Sequence, residues 1–435
     1  MRLDSLLIRD FRGIDRLDVA LDRRLTVLIG DNAAGKTTVL EAIAKGLAPI
    51  LTRVPGVMGA NILREDLHRS QGSLAPYALI RLQAGDLVWD RRYDRKEVFR
   101  RLSVEARKRN TPKALWDWID PIIEARANGA DEPALPVLAY YGTDRAVMLR
   151  EKWPEVQEQE SPFLAFRGAL KPAAGFGELF AWFLDEESAE LRRQRVEPGW
   201  INPQLQAVRA AVAQVIPGGV SLRVETRPRK HMVVDLEVAP GQREELDLGE
   251  LSGGYRIVLA LVADLARRMA QANPTHGCHS EAIVLIDEVD LHLHPKWQQT
   301  VLSSLLSAFP NAQFIVTTHS PLVLASVEAR HIYRLERTVE GVRLSQPGST
   351  YGATPDRVLE DGMGLISLRP AWATDALKAL FKALDLGEME AAETIIRMLR
   401  TRLGPFDPDL VRAQWLLDIE RGPQGEGDAS LQEGA

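Results

Sequence analysis

Cysteine is nearly absent from this 435-residue chain: Cys278 is the only one. No intrachain disulfide and no cysteine-based zinc site can therefore form. Such a chain suits a reducing compartment, and a cytoplasmic location is expected. An excess of positive charge is also missing, with 54 Lys and Arg against 60 Asp and Glu and a formal net charge of −6. That argues against coating nucleic acid through global charge and leaves room for a local basic patch. No apolar run reaches the roughly 20 residues of a membrane span, so no membrane association is expected. Charges at Arg2, Asp4, Arg9 and Asp10 leave no apolar signal-peptide core at the start. What is present is ordinary for a globular protein: 45% apolar and 26% charged residues. The length accommodates two or three domains, or one large α/β unit with insertions.

The most informative segment is Gly30-Asp31-Asn32-Ala33-Ala34-Gly35-Lys36-Thr37-Thr38. It follows the apolar run Leu25 to Ile29 and precedes a helical pattern from Val39 to Leu47. Strand, glycine-bounded loop with Lys-Thr, then helix is the setting a phosphate-binding loop needs. Backbone N–H groups of Gly30, Asn32, Gly35 and Thr38 and of the helix start can face phosphates. Lys36 supplies a point charge for the β- and γ-phosphates, and the Thr37 hydroxyl can take Mg2+. The segment predicts a nucleoside triphosphate site with ATP and Mg2+ as ligands.

Three further segments follow in order. Leu251-Ser252-Gly253-Gly254-Tyr255-Arg256 opens an apolar helix from Ile257 to Ala270, and such a turn offers bare amides and a hydroxyl to an anion. Ala282 to Ile286 reads as a buried strand ending in Asp287 and Glu288. Asp287 can hold Mg2+, and Glu288 can act as general base on an attacking water. Gln313 to Thr318 reads as another buried strand ending in His319, at the edge where open α/β sheets bind ligands. There His319 could hydrogen-bond a γ-phosphate or orient the water. His292 and His294 share one face of an extended segment, but no third ligand lies nearby, so a packing loop at a subunit contact is expected rather than a metal site.

Elsewhere the pattern predicts short strands over 3–9 and 16–21, a β-hairpin over 77–83 and 87–93, and a buried strand over 136–141. Residues 146–215 read as mostly helical, 220–239 as strands broken at Pro228, and 271–280 as a polar loop. Residues 91–113 hold ten Lys or Arg and three acids. A solvated helix surface and a phosphate-backbone contact both fit that stretch, but its sparse aromatics do not support base stacking. Three amphipathic helices are expected after residue 350, carrying Leu377, Leu380, Phe381 and Leu384, then Ile395, Ile396, Leu399 and Leu403, then Leu410, Val411, Leu416 and Leu417. Asp407-Pro408 should cap the third, and the Gly- and acid-rich end from 422 to 435 should be disordered.

Phosphate loop, Leu-Ser-Gly-Gly, acid pair and His, in this order, resemble the ATP-binding-cassette ATPase superfamily, closer to its RecF, SMC and OLD-like branch than to transporters. Leu7-Ile8-Arg9-Asp10-Phe11-Arg12-Gly13-Ile14 is similar to the opening of that branch, with Asp10 where Asn is usual. Ile286 to Pro295 is similar to its "I-D-E-x-x-x-H-L-H-P" segment, and the resemblance covers about residues 1–335. The segment Leu135 to Arg145 and the C-terminal helices point more narrowly to bacterial antiphage ATPases, such as PtuA of Septu systems and retron-associated ATPases.

The resemblance implies an α/β P-loop NTPase fold of ABC-ATPase type. It has a mixed sheet with a parallel core, an antiparallel β subdomain, a helical lobe and a C-terminal helical extension. The implied boundaries are 1–145 and 271–350 for the ATPase lobe, 146–270 for the helical and signature lobe, 351–420 for the helical region and 421–435 for the tail. It further implies slow ATP hydrolysis in a head-to-tail homodimer or higher oligomer. Lys36, Thr37, Asp287, Glu288 and His319 of one protomer would meet Ser252, Gly253 and Gly254 of the other, with Arg12 also reaching the nucleotide. A partner effector, a nuclease or retron component, would do the downstream chemistry. A RecF-like repair ATPase acting on nucleic acid is the alternative. One departure is the lack of a glutamine loop: Tyr141 to Arg145 lies in its place, and Thr143 or Arg145 could take over its sensing role.

Overall fold

The structure is a computed structural model that describes all residues except 71, 96–109, 147–160, 173–175, 217, 229, 340, 366 and 421–435. Most of the basic stretch and the C-terminal tail therefore lie outside the described residues. The chain divides into two compact units at Met363/Gly364.

The first unit opens with β1 (Ser5–Phe11), β2 (Ile14–Ala20), β3 (Leu25–Gly30) and α1 (Lys36–Leu51), then β4 (Tyr77–Ala84), β5 (Leu87–Asp94), α2 (Lys113–Ala127) and β6 (Val137–Tyr141). A helical stretch follows, with α3 (Gly177–Gln194) and α4 (Pro203–Val215). Then come β7 (Gly219–Glu225), β8 (His231–Ala239), β9 (Gln242–Asp247) and the long α5 (Gly253–Ala272). The unit continues with β10 (Ala282–Ile286), α6 (Val301–Ala308), β11 (Ala312–Thr317), β12 (Ile332–Thr338) and β13 (Gly341–Ser345).

Six strands form the central sheet in the order β13-β12-β3-β11-β10-β6. From β12 to β6 all neighbours run parallel, and only β13 pairs antiparallel. The three central strands are apolar because helices cover both faces of such a sheet, as the uniformly buried β10 and β11 show. A separate antiparallel sheet, β2-β1-β4-β5, packs beside α1. Gly46 makes that approach possible: a Cβ there would lie 2.5 Å from Leu82 Cδ1. Trp89, fully buried, closes the seam by donating its indole N–H to the Gly46 carbonyl at 2.8 Å. These features are the mixed sheet with a parallel core, the antiparallel subdomain and the helical lobe that the sequence resemblance implies.

Two polar pins fix the layers. Buried Gln313 of β11 accepts from Leu3 N and donates to the carbonyls of Leu3 and Asp22 at 2.7–2.8 Å. Within α5, Asp264 accepts from Arg267 at 2.8 Å, from Arg268 at 2.7 Å and from the Tyr141 hydroxyl at 3.0 Å. Burial pushes the Asp264 carboxyl up, but Arg268 and Arg267 outweigh it and hold the pKa at about 2. Its stabilising contribution is thus present above the ordinary carboxylate pKa and lost as pH falls through about 2. Asp264→Asn, which strands two buried guanidiniums, is expected to cost about 3–5 kcal/mol in a denaturant titration at neutral pH.

The second unit holds α7 (Ala371–Asp385), α8 (Met389–Leu403) and α9 (Pro408–Glu420) around Leu380, Leu399, Leu410 and Leu417. Asp407 caps α9, its Oδ1 accepting from Asp409 N at 3.1 Å and Leu410 N at 3.4 Å. Val411 does not join that core; it is exposed on the opposite face of α9 with Trp415 and Ile419. Among the described residues no helix is long and apolar enough to cross a membrane.

Candidate nucleotide site

Parallel register brings three strand ends to one edge of the sheet. Thr317 lies opposite Leu28 of β3, and Ile286 opposite Val316 of β11 and Tyr141 of β6. The phosphate loop, the Asp287-Glu288 pair and the Thr317-Thr318-His319 run therefore leave the sheet side by side, as ligand sites of open α/β sheets do.

The loop leaves β3 through Gly30 at φ 141°, where a Cβ would lie 2.2 Å from the Leu335 carbonyl oxygen, so only glycine fits. Lys36 is buried and folds back to donate to the carbonyls of Gly30 at 2.8 Å and Asp31 at 2.9 Å. Burial lowers the Lys36 pKa against the opposing pull of Asp287, Glu288 and Asp31. Asn32 is exposed, as is Thr37, and Gly35 and Thr38 are half-buried on the loop and first turn. The Thr37 hydroxyl donates to Asp287 Oδ2 at 2.7 Å.

That pair is an oxygen donor set of the kind a hard divalent cation takes. The Tyr140 hydroxyl is buried and has no hydrogen-bond partner among the described residues. Burial and then the Asp287 charge raise its pKa, so a neutral donor stands near Asp287. An oxygen pair, a buried ammonium that donates to loop carbonyls and an orphan hydroxyl fit a nucleotide phosphate with Mg2+.

Glu288 is half-buried at φ 49°, and His319 is half-buried just beyond β11. Thr317 carries a contact that the strand reading does not anticipate. Its hydroxyl donates to Asp287 Oδ1 at 2.6 Å. Thr318 likewise donates to Asp290 at 2.5 Å. Two hydroxyls in tandem at the strand end are the signal that points to them.

The Ser252–Gly254 turn sits elsewhere in the chain. Ser252 caps α5 by accepting from Tyr255 N at 3.5 Å. Gly253 has nothing within 4 Å of a built Cβ, whereas one on Gly254 would lie 2.3 Å from the His292 carbonyl oxygen. Tyr255 packs on Trp297 with ring centroids 4.0 Å apart. The turn is thus attached to the 292–297 segment of its own chain. In that segment Leu293 is buried, and the His294 ring caps the next helical turn at 3.3 Å from Lys296 N.

Arg12 is engaged by residues outside the loop. At φ 51° its guanidinium donates to Asp66 at 2.8 Å, pairs with Glu41 and stacks 5.5 Å over Phe11. Burial raises the Asp66 pKa, but the Leu63 amide, Lys45 and Arg12 outweigh it and hold the carboxyl below its ordinary value. Thr143 is exposed on a 3-10 turn, and the Arg145 side chain lies outside the described residues. No cluster of three metal-ligating side chains occurs among the described residues.

Comparison with known proteins finds ATPase domains and ATPase relatives. Residues 1–48 match the family model "AAA ATPase domain". Residues 149–325 match "AAA domain, putative AbiEii toxin, Type IV TA system". The chain is 26% identical to the "Retron Ec83 probable ATPase" of Escherichia coli, over 97% of this chain and 87% of that protein. It is 38% identical to the Septu protein PtuA of Bacillus mycoides (strain KBAB4), over 25% of this chain and 18% of that one. A solved SMC head bound to the C-winged helix domain of ScpA superposes with a TM-score of 0.48 at 15% identity, covering 79% of this chain and 98% of that one. By motif order and sequence matches, the chain is similar to AAA-type P-loop ATPases, among them retron ATPases and Septu PtuA.

Proposed function

We propose that the chain is an ATP-driven switch that binds ATP with Mg2+, hydrolyses it slowly, closes head to tail with a second copy and controls a partner effector in antiphage defence. The observation carrying this reading is that Lys36, Thr37, Asp287, Glu288 and His319 converge at one edge of three adjacent parallel strands. The effector, a nuclease or retron component, rests on the similarity to retron and Septu proteins.

In this reading Lys36 exchanges the Gly30 and Asp31 carbonyls for the β- and γ-phosphate oxygens, and the loop amides line the same anion. Thr37 and Asp287 would hold Mg2+, which would offset the negative charge on the phosphate oxygens. Glu288 takes a proton from the water whose oxygen attacks the γ-phosphorus, while the β,γ-bridging oxygen leaves with ADP. His319 donates to a γ-phosphate oxygen and helps fix the water. Ser252, Gly253 and Gly254 of a second copy present another helix N-terminus to the same phosphate, so ATP joins two chains and its hydrolysis releases them.

Phosphate release by the purified chain tests the reading. The wild type should release phosphate only with ATP and Mg2+ together. Lys36→Ala should bind ATP at least about tenfold more weakly, since it removes a charge-assisted contact of roughly 1.5–3 kcal/mol. Equal ATP binding by both proteins would overturn the assignment.

A further inference from the structure

Thr317 is the last residue of β11, and its side chain is fully buried. One oxygen of Asp287 takes the Thr317 hydroxyl at 2.6 Å and the other takes the Thr37 hydroxyl at 2.7 Å. The carboxylate plane is therefore fixed by two hydroxyls, one per oxygen. The same Thr317 oxygen accepts the Glu288 backbone N–H at 2.7 Å, and the Thr317 carbonyl accepts the Val289 N–H at 2.9 Å. Glu288 is held at φ 49°, a left-handed conformation that side chains with a Cβ rarely adopt. A peptide in that conformation persists only when its surroundings over-determine it, and here two N–H groups that donate to Thr317 flank it.

We propose that Thr317 is a positioning residue for the nucleotide reaction: its hydroxyl aims Asp287 at the divalent cation and locks the peptide that carries Glu288. This assignment rests on the ATPase reading above. One hydroxyl then serves both halves of the acid pair, so its loss should move cation dependence and turnover together. Groups that orient metal ligands from behind behave in this way.

The test uses the full chain as wild type, Thr317→Val, Thr317→Ala and Thr317→Ser. A fluorescent ATP analogue is titrated first with a chelator, then against increasing Mg2+, and phosphate release is measured at saturating ATP. Thr317→Val keeps the side-chain shape without the hydroxyl. It should bind nucleotide in chelator within about twofold of wild type, yet need about tenfold more Mg2+ to reach the half-point. Phosphate release should fall by roughly 10–100-fold. Thr317→Ala should do the same, and Thr317→Ser should restore both to within about threefold. If Thr317→Val does not fold, the Ala and Ser pair carries the comparison. A wild-type Mg2+ half-point in the variants lacking the hydroxyl, or failure of Ser to restore it, overturns the assignment. A wild type that binds no ATP would instead overturn the ATPase reading, and this assignment with it.

Discussion

Glu288→Gln is expected to bind ATP and Mg2+ as the wild type does, and to release phosphate about 100- to 10,000-fold more slowly. Glutamine has the same length and can occupy the same half-buried place, and the peptide hydrogen bond from position 288 to Thr317 does not involve the side chain. What changes is that an amide oxygen cannot take the proton from water. Thr37, Asp287 and Lys36 keep their contacts, so binding and chemistry separate in this variant. If ATP joins two copies and hydrolysis parts them, blocked hydrolysis should hold them together. Size-exclusion chromatography with light scattering should then show a dimer that requires ATP and Mg2+. A monomer at saturating ATP and Mg2+ would remove the head-to-tail model and leave an ATPase acting alone. Lys36→Ala in the same column run controls for dimers that form without nucleotide.

The residues gathered at the candidate edge were legible in the sequence because they lie in local patterns. A strand, a glycine-bounded loop and a helix mark the candidate phosphate site around Lys36 without knowledge of any other segment. The apolar run Ala282 to Ile286 likewise identifies its own acid-tipped end. Part of what stayed hidden depends on contacts between distant segments. β12 and β13 escape the strand pattern because they carry Arg334, Glu336, Arg337 and Arg343, and their side chains are mostly half-exposed, β13 forming the sheet's edge and β12 lying next to it. Reading α5 as apolar hides Asp264, Arg267 and Arg268, whose i, i+3 and i+4 spacing is itself a signal for a helix-borne ion cluster. Arg12 stands in the motif that resembles the RecF-like opening, but only the fold shows its guanidinium held by Asp66 and Glu41.

Gly254→Ala should be far more damaging than Gly253→Ala, although the sequence presents the two glycines as equals. As bare amides at a helix start, both could serve an anion in the same way. The structure separates them. A Cβ at 254 meets the backbone carbonyl of His292 at 2.3 Å, a distance that side-chain rotation cannot relieve, whereas one at 253 meets nothing within 4 Å. Overpacking of that kind typically costs about 1–3 kcal/mol and shifts backbone. The shift falls on the start of α5, where Tyr255 stacks on Trp297 and Ser252 caps the helix. Gly254→Ala should therefore lower the melting temperature by about 1–4 °C, since each ~1 kcal/mol is worth roughly 1.3 °C in a unit that runs from Met1 to Met363. It should also disturb the segment that follows Asp287 and Glu288. Gly253→Ala should melt with the wild type, because its methyl enters open space. If Gly253 faces a second copy, that methyl should still weaken ATP-dependent dimerisation while leaving ATP binding by the single chain intact. Paired melting curves and light scattering thus separate the two roles: 254 holds the turn to its own chain, and 253 offers the turn to another. Equal melting temperatures for the two variants would show that the contact with His292 does not hold the turn.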